Sequence, residues 1–278
     1  MTDKLQRILP TVQKPARYTG GEYNEVQKDL KDVRVRVAFC FPDTYEIGMS
    51  NVGMRILYGI MNQMDGVWCE RVFAPWSDME EAMVQNDLPL WALESQDPVR
   101  DFDMIAFTIG YEMSYTNILN MLRLAKVPLH SNERQGLKNI VFAGGVCAYN
   151  PEPLADFVDF FSLGEGEEIT PEIISLYNRA KAEGWSKEQF LVEVAKIPGI
   201  YVPSFYRHEY NPDGTLAAVV PLNGAPETVT KRIVEDLDKA CWPSKMIVPS
   251  TEIVHDRANL EVFRGCIRGC RFCQAGFS

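Results

Sequence analysis

The chain alternates between short apolar runs and stretches whose apolar residues recur at helical spacing. From Val33 to Phe41 the pattern begins as strict alternation and ends as a continuous apolar run. That is how a strand enters a sheet covered on both faces. Pro42 and Asp43 break it. Gly48 to Met64 then carries Val52, Ile56, Leu57, Ile60 and Met61 on one helical face. The unit recurs. Val67 to Phe73 predicts a second strand. Ser77 to Gln85 predicts a helix with Ser77 as N-cap and Glu80 three residues on. Met104 to Ile109 and Ile140 to Ala143 predict the third and fourth strands, with a helix over Ser114 to Leu124 between them. Phe157 to Leu163 predicts the fifth strand, and Thr170 to Ala182 a long helix. Strands alternating with helices specify βαβ units and a parallel sheet. The fold class is therefore α/β, with a flavodoxin-like or Rossmann-like parallel five-stranded sheet.

The flanks have a different texture. Residues 1–32 are polar and form a lead-in. After Ser186 one more helix is expected over Lys187 to Lys196. Four prolines from Gly199 to Pro226, with Asn211-Pro-Asp-Gly214 as a turn signal, predict a small hairpin within a connector over 187–256. Lys231 to Ala240 reads as polar with a short helical turn. Leu260-Glu-Val-Phe263 reads as a further strand opening a last segment, 257–278.

Composition adds limits. No apolar run reaches the roughly 18–20 residues that span a bilayer. The N-terminus has no signal-peptide h-region. Both points lead to an expected cytoplasmic location, with no membrane partner. A net charge of -10 repels phosphate backbones, which disfavours nucleic acid as a partner of this portion. Seven cysteines form no disulfide framework. Cys40, Cys69, Cys147 and Cys241 are scattered and read as small hydrophobes. The other three, Cys266, Cys270 and Cys273, lie within eight residues.

Those three occupy Val262-Phe-Arg-Gly-Cys266-Ile-Arg-Gly-Cys270-Arg-Phe-Cys273. Thiolates this close can converge on one metal. Gly265 and Gly269 permit the loop to fold back. Arg257, Arg264, Arg268 and Arg271 surround it with positive potential, which favours ionised thiols. An iron–sulfur cluster normally takes four cysteines, so three leave one iron open. The alternative in the residues is a structural zinc site completed by Cys241, by His255 or by a residue further on.

The C-x3-C-x2-C spacing, with Phe272 just before its last cysteine, resembles the signature of the radical S-adenosylmethionine (SAM) superfamily. The resemblance implies that Cys266, Cys270 and Cys273 bind a [4Fe–4S] cluster. It also implies that the open iron chelates SAM, that one electron cleaves SAM to a 5′-deoxyadenosyl radical, and that the backbone at Phe272 lies against the adenine. An electron donor such as flavodoxin or ferredoxin is then the expected partner, with a substrate that this portion does not specify.

The resemblance extends upstream. Phe142-Ala-Gly-Gly145, Asn150-Pro-Glu152, Asp159-Phe-Phe161 and Gly164-Glu-Gly-Glu167 follow the order of the cobalamin-binding-like domain that many radical SAM proteins carry. That domain is expected over 33–186. The segment 257–278 is expected to begin a (β/α) barrel cut off at Ser278, with the SAM-gripping and substrate residues beyond it, so that the chain alone has no turnover. Domains that hold cobalamin through an axial His use D-x-H-x-x-G after the first strand. Here Asp43-Thr-Tyr45-Glu-Ile-Gly48 puts Tyr at the His position. Asp43, Gly48, Ser114, Gly144 and Gly145 fall at strand ends where open α/β sheets bind ligands. Two roles stay open for that edge: a cobalamin site, or a scaffold that docks a partner while the cysteines form a structural metal knuckle.

Overall fold

The computed structural model describes residues 2–276; Phe277 and Ser278, where the expected barrel start ends, lie outside them. The strands β1 (Val35–Phe41), β2 (Val67–Phe73), β3 (Met104–Thr108), β4 (Ile140–Gly144) and β5 (Phe160–Ser162) pair in parallel, in the order β2-β1-β3-β4-β5. This is a doubly wound order. The sheet has six strands, not five. Ile200–Tyr201 forms β6 and pairs antiparallel with β5 through Phe161 and Ser162. The two residues Ile200 and Tyr201 are too few to show a strand period, so the sequence hides this edge.

Alternation along the strands divides the core into two layers. Val35, Val37, Phe39 and Phe41 of β1 face a layer formed with α3 (Val52–Gln63), α6 (Gly166–Glu183) and α7 (Lys187–Val194). Ala38 and Cys40 face the layer of α1 (Thr2–Ile8), α4 (Ser77–Gln85) and α5 (Tyr115–Leu124). The expected helix over 48–64 is split. A single turn, α2 (Tyr45–Gly48), precedes α3, because Asn51 Oδ1 accepts from Met54 N at 2.9 Å and caps a new start. Trp76, not Ser77, occupies the N-cap of α4. The expected strand at 260–263 does not form. Leu260, Val262 and Phe263 are exposed, and no strand among the described residues lies beside them to complete a ladder. Lys231 to Ala240 contains turns but no helix. The predicted hairpin is present as β7 (Tyr206–Tyr210) and β8 (Leu216–Pro221).

The N-terminal residues pack into the sheet. Leu5, Ile8, Val12 and Tyr18 are buried in the α4–α5 layer. Gly20, at φ +64°, turns the chain so closely past Leu93 that a Cβ would sit 2.6 Å from its carbonyl oxygen. The turn delivers Glu22 to Arg71, in the middle of β2. Arg71 is 1% exposed and contacts Glu22 at 2.7 Å, Glu25 at 3.0 Å and Glu94 at 2.6 Å. A buried arginine is tolerated only when its donors are matched. Three carboxylates around one guanidinium exceed that match. Burial raises the Glu22 carboxyl, but the hydrogen bonds and charge of Arg71 outweigh it and hold the group down at about 2. Burial and the hydrogen bond with Glu22 push Glu25 up to about 7.

The pH dependence follows. Glu22 contributes stability above its ordinary value of 4.5, lost as pH falls toward 2. Glu25 favours folding while protonated, and that contribution is lost as pH rises from 4.5 through about 7. Glu25→Gln is therefore expected to raise the melting temperature more at pH 8 than at pH 5. Thermal melts at the two values check this, and an equal offset at both would contradict it.

Candidate functional site

In a parallel sheet every carboxyl end opens on one edge. Here the ends of β1, β3, β4 and β5 surround a slot of about 230 Å³. Phe39, Leu57, Met61 and Phe142 supply apolar walls, and Thr108, Ser162 and Thr170 supply hydroxyls. The slot shares Gly145, Val146 and Gly164 with a groove of about 730 Å³. That groove is lined by Tyr149, Glu165, residues 231–238 and Phe263 to Gly265. The connector and the segment leading into the cysteines thus close over the sheet edge.

The glycines at this edge serve two purposes. Gly145 sits at φ +107°, and an added Cβ would lie 2.6 Å from the Ile109 carbonyl oxygen. Gly164 sits at φ +100°, and a Cβ would lie 2.1 Å from the Arg232 carbonyl oxygen. These two are demanded by the backbone. Gly164 lets Arg232 form a parallel bridge, with Arg232 N donating to Leu163 O and Glu165 N to Arg232 O, both at 2.9 Å. Gly53, Gly110 and Gly144 also line the slot, and none adopts a positive φ. A Cβ on Gly110 would meet nothing within 4 Å, on Gly144 would make an ordinary contact at 3.4 Å, and on Gly53 would press to 3.3 Å from Asn51 Oδ1, the cap of α3. At Gly110 and Gly144 the missing side chain keeps room at the edge that the fold itself does not need.

Of the residues marked from sequence, Gly144 and Gly145 line the slot; Asp43, Gly48 and Ser114 do not. Asp43 Oδ1 accepts from Thr44 N at 2.7 Å. Gly48 is packed against Phe73, whose ring would lie 2.3 Å from an added Cβ. Ser114 is buried and donates to Tyr111 O at 2.8 Å. Tyr45 is buried and donates to Glu22 Oε1 at 2.8 Å. Burial first, then the Glu22 charge, pushes its hydroxyl above the ordinary range and keeps the phenol neutral. In this chain the D-x-Y-x-x-G frame is a packing and hydrogen-bonding device.

The cysteine loop is flanked by contacts at the groove: Phe263 to Gly265 line it, and Gln274 donates to Val146 O at 3.2 Å. All three thiols are free of disulfides; Cys266 and Cys270 are exposed and Cys273 is half-buried. Gly265 at φ +75° and Gly269 at φ +59° bend the loop, and Cys273 N donates to Cys270 O at 3.1 Å. The donor set fits an iron–sulfur centre in kind: three unpaired thiols within eight residues. It is not gathered as one. Among the described residues no three Cys, His, Asp or Glu side chains converge as a metal site. Phe272 is exposed. The expected halo of free positive charge is also reduced. Arg264 is bound to Glu261, Glu167 and Glu165, which hold its guanidinium above its ordinary value.

The two classes of glycine predict opposite substitutions. Gly145→Ala should cost about 1–3 kcal/mol through strain and the Ile109 contact. Gly110→Ala, where an added Cβ meets nothing within 4 Å and φ is not positive, should be neutral or stabilise by up to about 1 kcal/mol. Urea denaturation midpoints decide it, and equal losses at both positions would contradict the division.

The sequence model of a family described as radical SAM proteins, N-terminal, matches residues 53–203. An uncharacterized protein of Methanocaldococcus jannaschii is 23% identical over 252 residues, covering 86% of this chain. The chain spans 40% of the length of that relative. The matched region runs from the slot's Gly53 to Pro203 and ends well before the cysteines, so it is independent of the C-x3-C-x2-C spacing. By a match over more than half its length, this chain belongs to the radical SAM proteins, within the family defined by their N-terminal region.

Proposed function

We propose that the chain carries the cluster loop and the accessory α/β domain of a radical SAM enzyme. The observation that carries this reading is a radical SAM N-terminal region joined in one chain to three closely spaced free cysteines, whose leading segment Phe263 to Gly265 lines the groove at the carboxyl edge of the sheet. In this reading Cys266, Cys270 and Cys273 hold a [4Fe–4S] cluster with one iron open to SAM. Such a centre, when bound, supplies one-electron reduction of SAM and hence radical chemistry on a substrate. The chain's own residues do the rest. Gly265 and Gly269 bend the loop, Arg264 ties it to the sheet domain, and the backbone beside Phe272 offers an edge for the adenine. An electron donor of the flavodoxin or ferredoxin type would serve the cluster. Seven unpaired cysteines suit a reducing compartment, consistent with the cytoplasm.

A corrinoid in the α/β domain is the second reading, favoured by the room that Gly110 and Gly144 leave at the slot. Tyr45 would not ligate cobalt there, because its hydroxyl is committed to Glu22 inside the core. The competing reading is a partner-docking module with a structural metal knuckle.

Anaerobic reconstitution with iron and sulfide tests the first reading. The expected result is about four irons and four sulfides per chain, lost in each of Cys266→Ser, Cys270→Ser and Cys273→Ser. Uptake of one zinc in place of iron would overturn it and favour the knuckle. Hydroxocobalamin retained after desalting by the same protein would support the corrinoid, and no retention by a folded domain would remove it.

A further inference from the structure

Arg264 stands two residues before Cys266, and its contacts reach far along the chain. Its guanidinium lies 3.3 Å from Glu165 Oε1, hydrogen-bonds Glu167 Oε1, and donates to both carboxylate oxygens of Glu261 at 2.8 Å. Glu165 occupies the N-cap position of α6 and Glu167 its first turn, where negative charge is favoured by the helix dipole. The second oxygen of Glu165 accepts from Val234 N. One carboxylate therefore joins the helix start, the connector and the arginine. Beyond the last cysteine, Gln274 Nε2 donates to the carbonyl of Val146, two residues past the end of β4. The loop's ends also approach each other, since a Cβ on Gly276 would sit 2.8 Å from Cys266 O. Between these two anchors Arg268 and Arg271 are exposed and make no ion pair among the described residues.

We propose that Arg264 and Gln274 are positioning residues that seat the thiol loop on the carboxyl edge of β4 and β5, at the mouth of the slot. The arginine acts through geometry. Its planar fork can engage carboxylates on two elements at once, which a lysine cannot reproduce. The acidic Gly164-Glu-Gly-Glu167 turn is the socket for this fork as well as the start of a helix. Any group held by the three thiols would then sit beside whatever fills the slot. The proposal deepens the radical SAM reading and rests on it only for the identity of that group.

Trypsin tests the seat on the apo protein, where no cluster is needed. Cleavage after Arg268 and Arg271 requires the loop to leave its anchors, so the rate follows the population of the released loop. Arg264→Ala is expected to raise that rate roughly tenfold, as loss of the charge-assisted hydrogen bond to Glu167 together with the ion pair to Glu165 would. Glu165→Gln with Glu167→Gln should do the same, and the combined variant should add little more. Arg264→Lys should fall between. High salt should move the wild type toward the variants, because the pairs are partly exposed. The thermal midpoint should not change. Wild-type cleavage as fast as that of Arg264→Ala, or strictly additive effects of the two sets, would overturn the proposal. In iron-loaded protein, the electron paramagnetic resonance of the reduced centre should shift in Arg264→Ala and return toward wild type in Arg264→Lys. If wild type takes up no iron but the cleavage pattern holds, the cluster reading fails and the seat stands; iron uptake with unchanged cleavage fails the seat alone.

Discussion

The close passage of Gly164 against Arg232 is the contact on which the site depends. Without a side chain at 164, the chain after the hairpin can lie beside the end of β5 and exchange backbone hydrogen bonds with it. That bridge fixes where residues 231–238 run. These residues wall the groove, and Phe263 to Gly265 return to the same edge. A parallel sheet already gathers its loops at one edge. Here one backbone approach recruits a distant stretch of chain to that edge and brings the cysteines with it.

Charge is used in two ways. Inside the sheet, Arg71 is fully enclosed and tied to Glu22, Glu25 and Glu94, so it couples the N-terminal segment to β2. Removing Glu22 or Glu94 there would leave a buried charge short of its partners, the costly case for an internal ion pair, whereas Glu25 is the surplus carboxylate. At the groove, Arg264 is partly exposed, and its pairs with Glu165, Glu167 and Glu261 are open to solvent and salt. The first arrangement is structural and permanent. The second is weaker, as suits a contact that holds a loop in place at a ligand site.

Much of this architecture is legible in the sequence, for identifiable reasons. Continuous apolar runs bounded by Gly, Pro and Asp locate β1 to β5 within a few residues, because fully buried parallel strands leave little choice of residue. The hairpin is announced by Asn211-Pro-Asp-Gly214. The sixth strand is not legible: Ile200 and Tyr201 carry no period. The N-terminal segment reads as polar because its buried residues, Leu5, Ile8, Val12 and Tyr18, are scattered among charges, and Glu22 is buried only by virtue of Arg71. At the site, the glycines of β4 and the acidic turn after β5 stand out as residues. Their division of labour does not, since the φ of Gly145 and the openness around Gly110 are facts of three dimensions. Asp43 and Gly48 show the converse: a spacing that suggests a ligand frame is occupied by packing against Phe73 and by a local turn.

The central claim is that three thiols, and no fourth residue of this chain, hold an iron–sulfur centre with one iron open. Mössbauer spectroscopy of protein reconstituted with iron-57 addresses it most directly. The account predicts four irons, one of which is distinct from the three that the thiolates hold. Four irons with no distinct member, all in thiolate-like sites, would mean that a fourth protein ligand closes the centre, and would contradict the account.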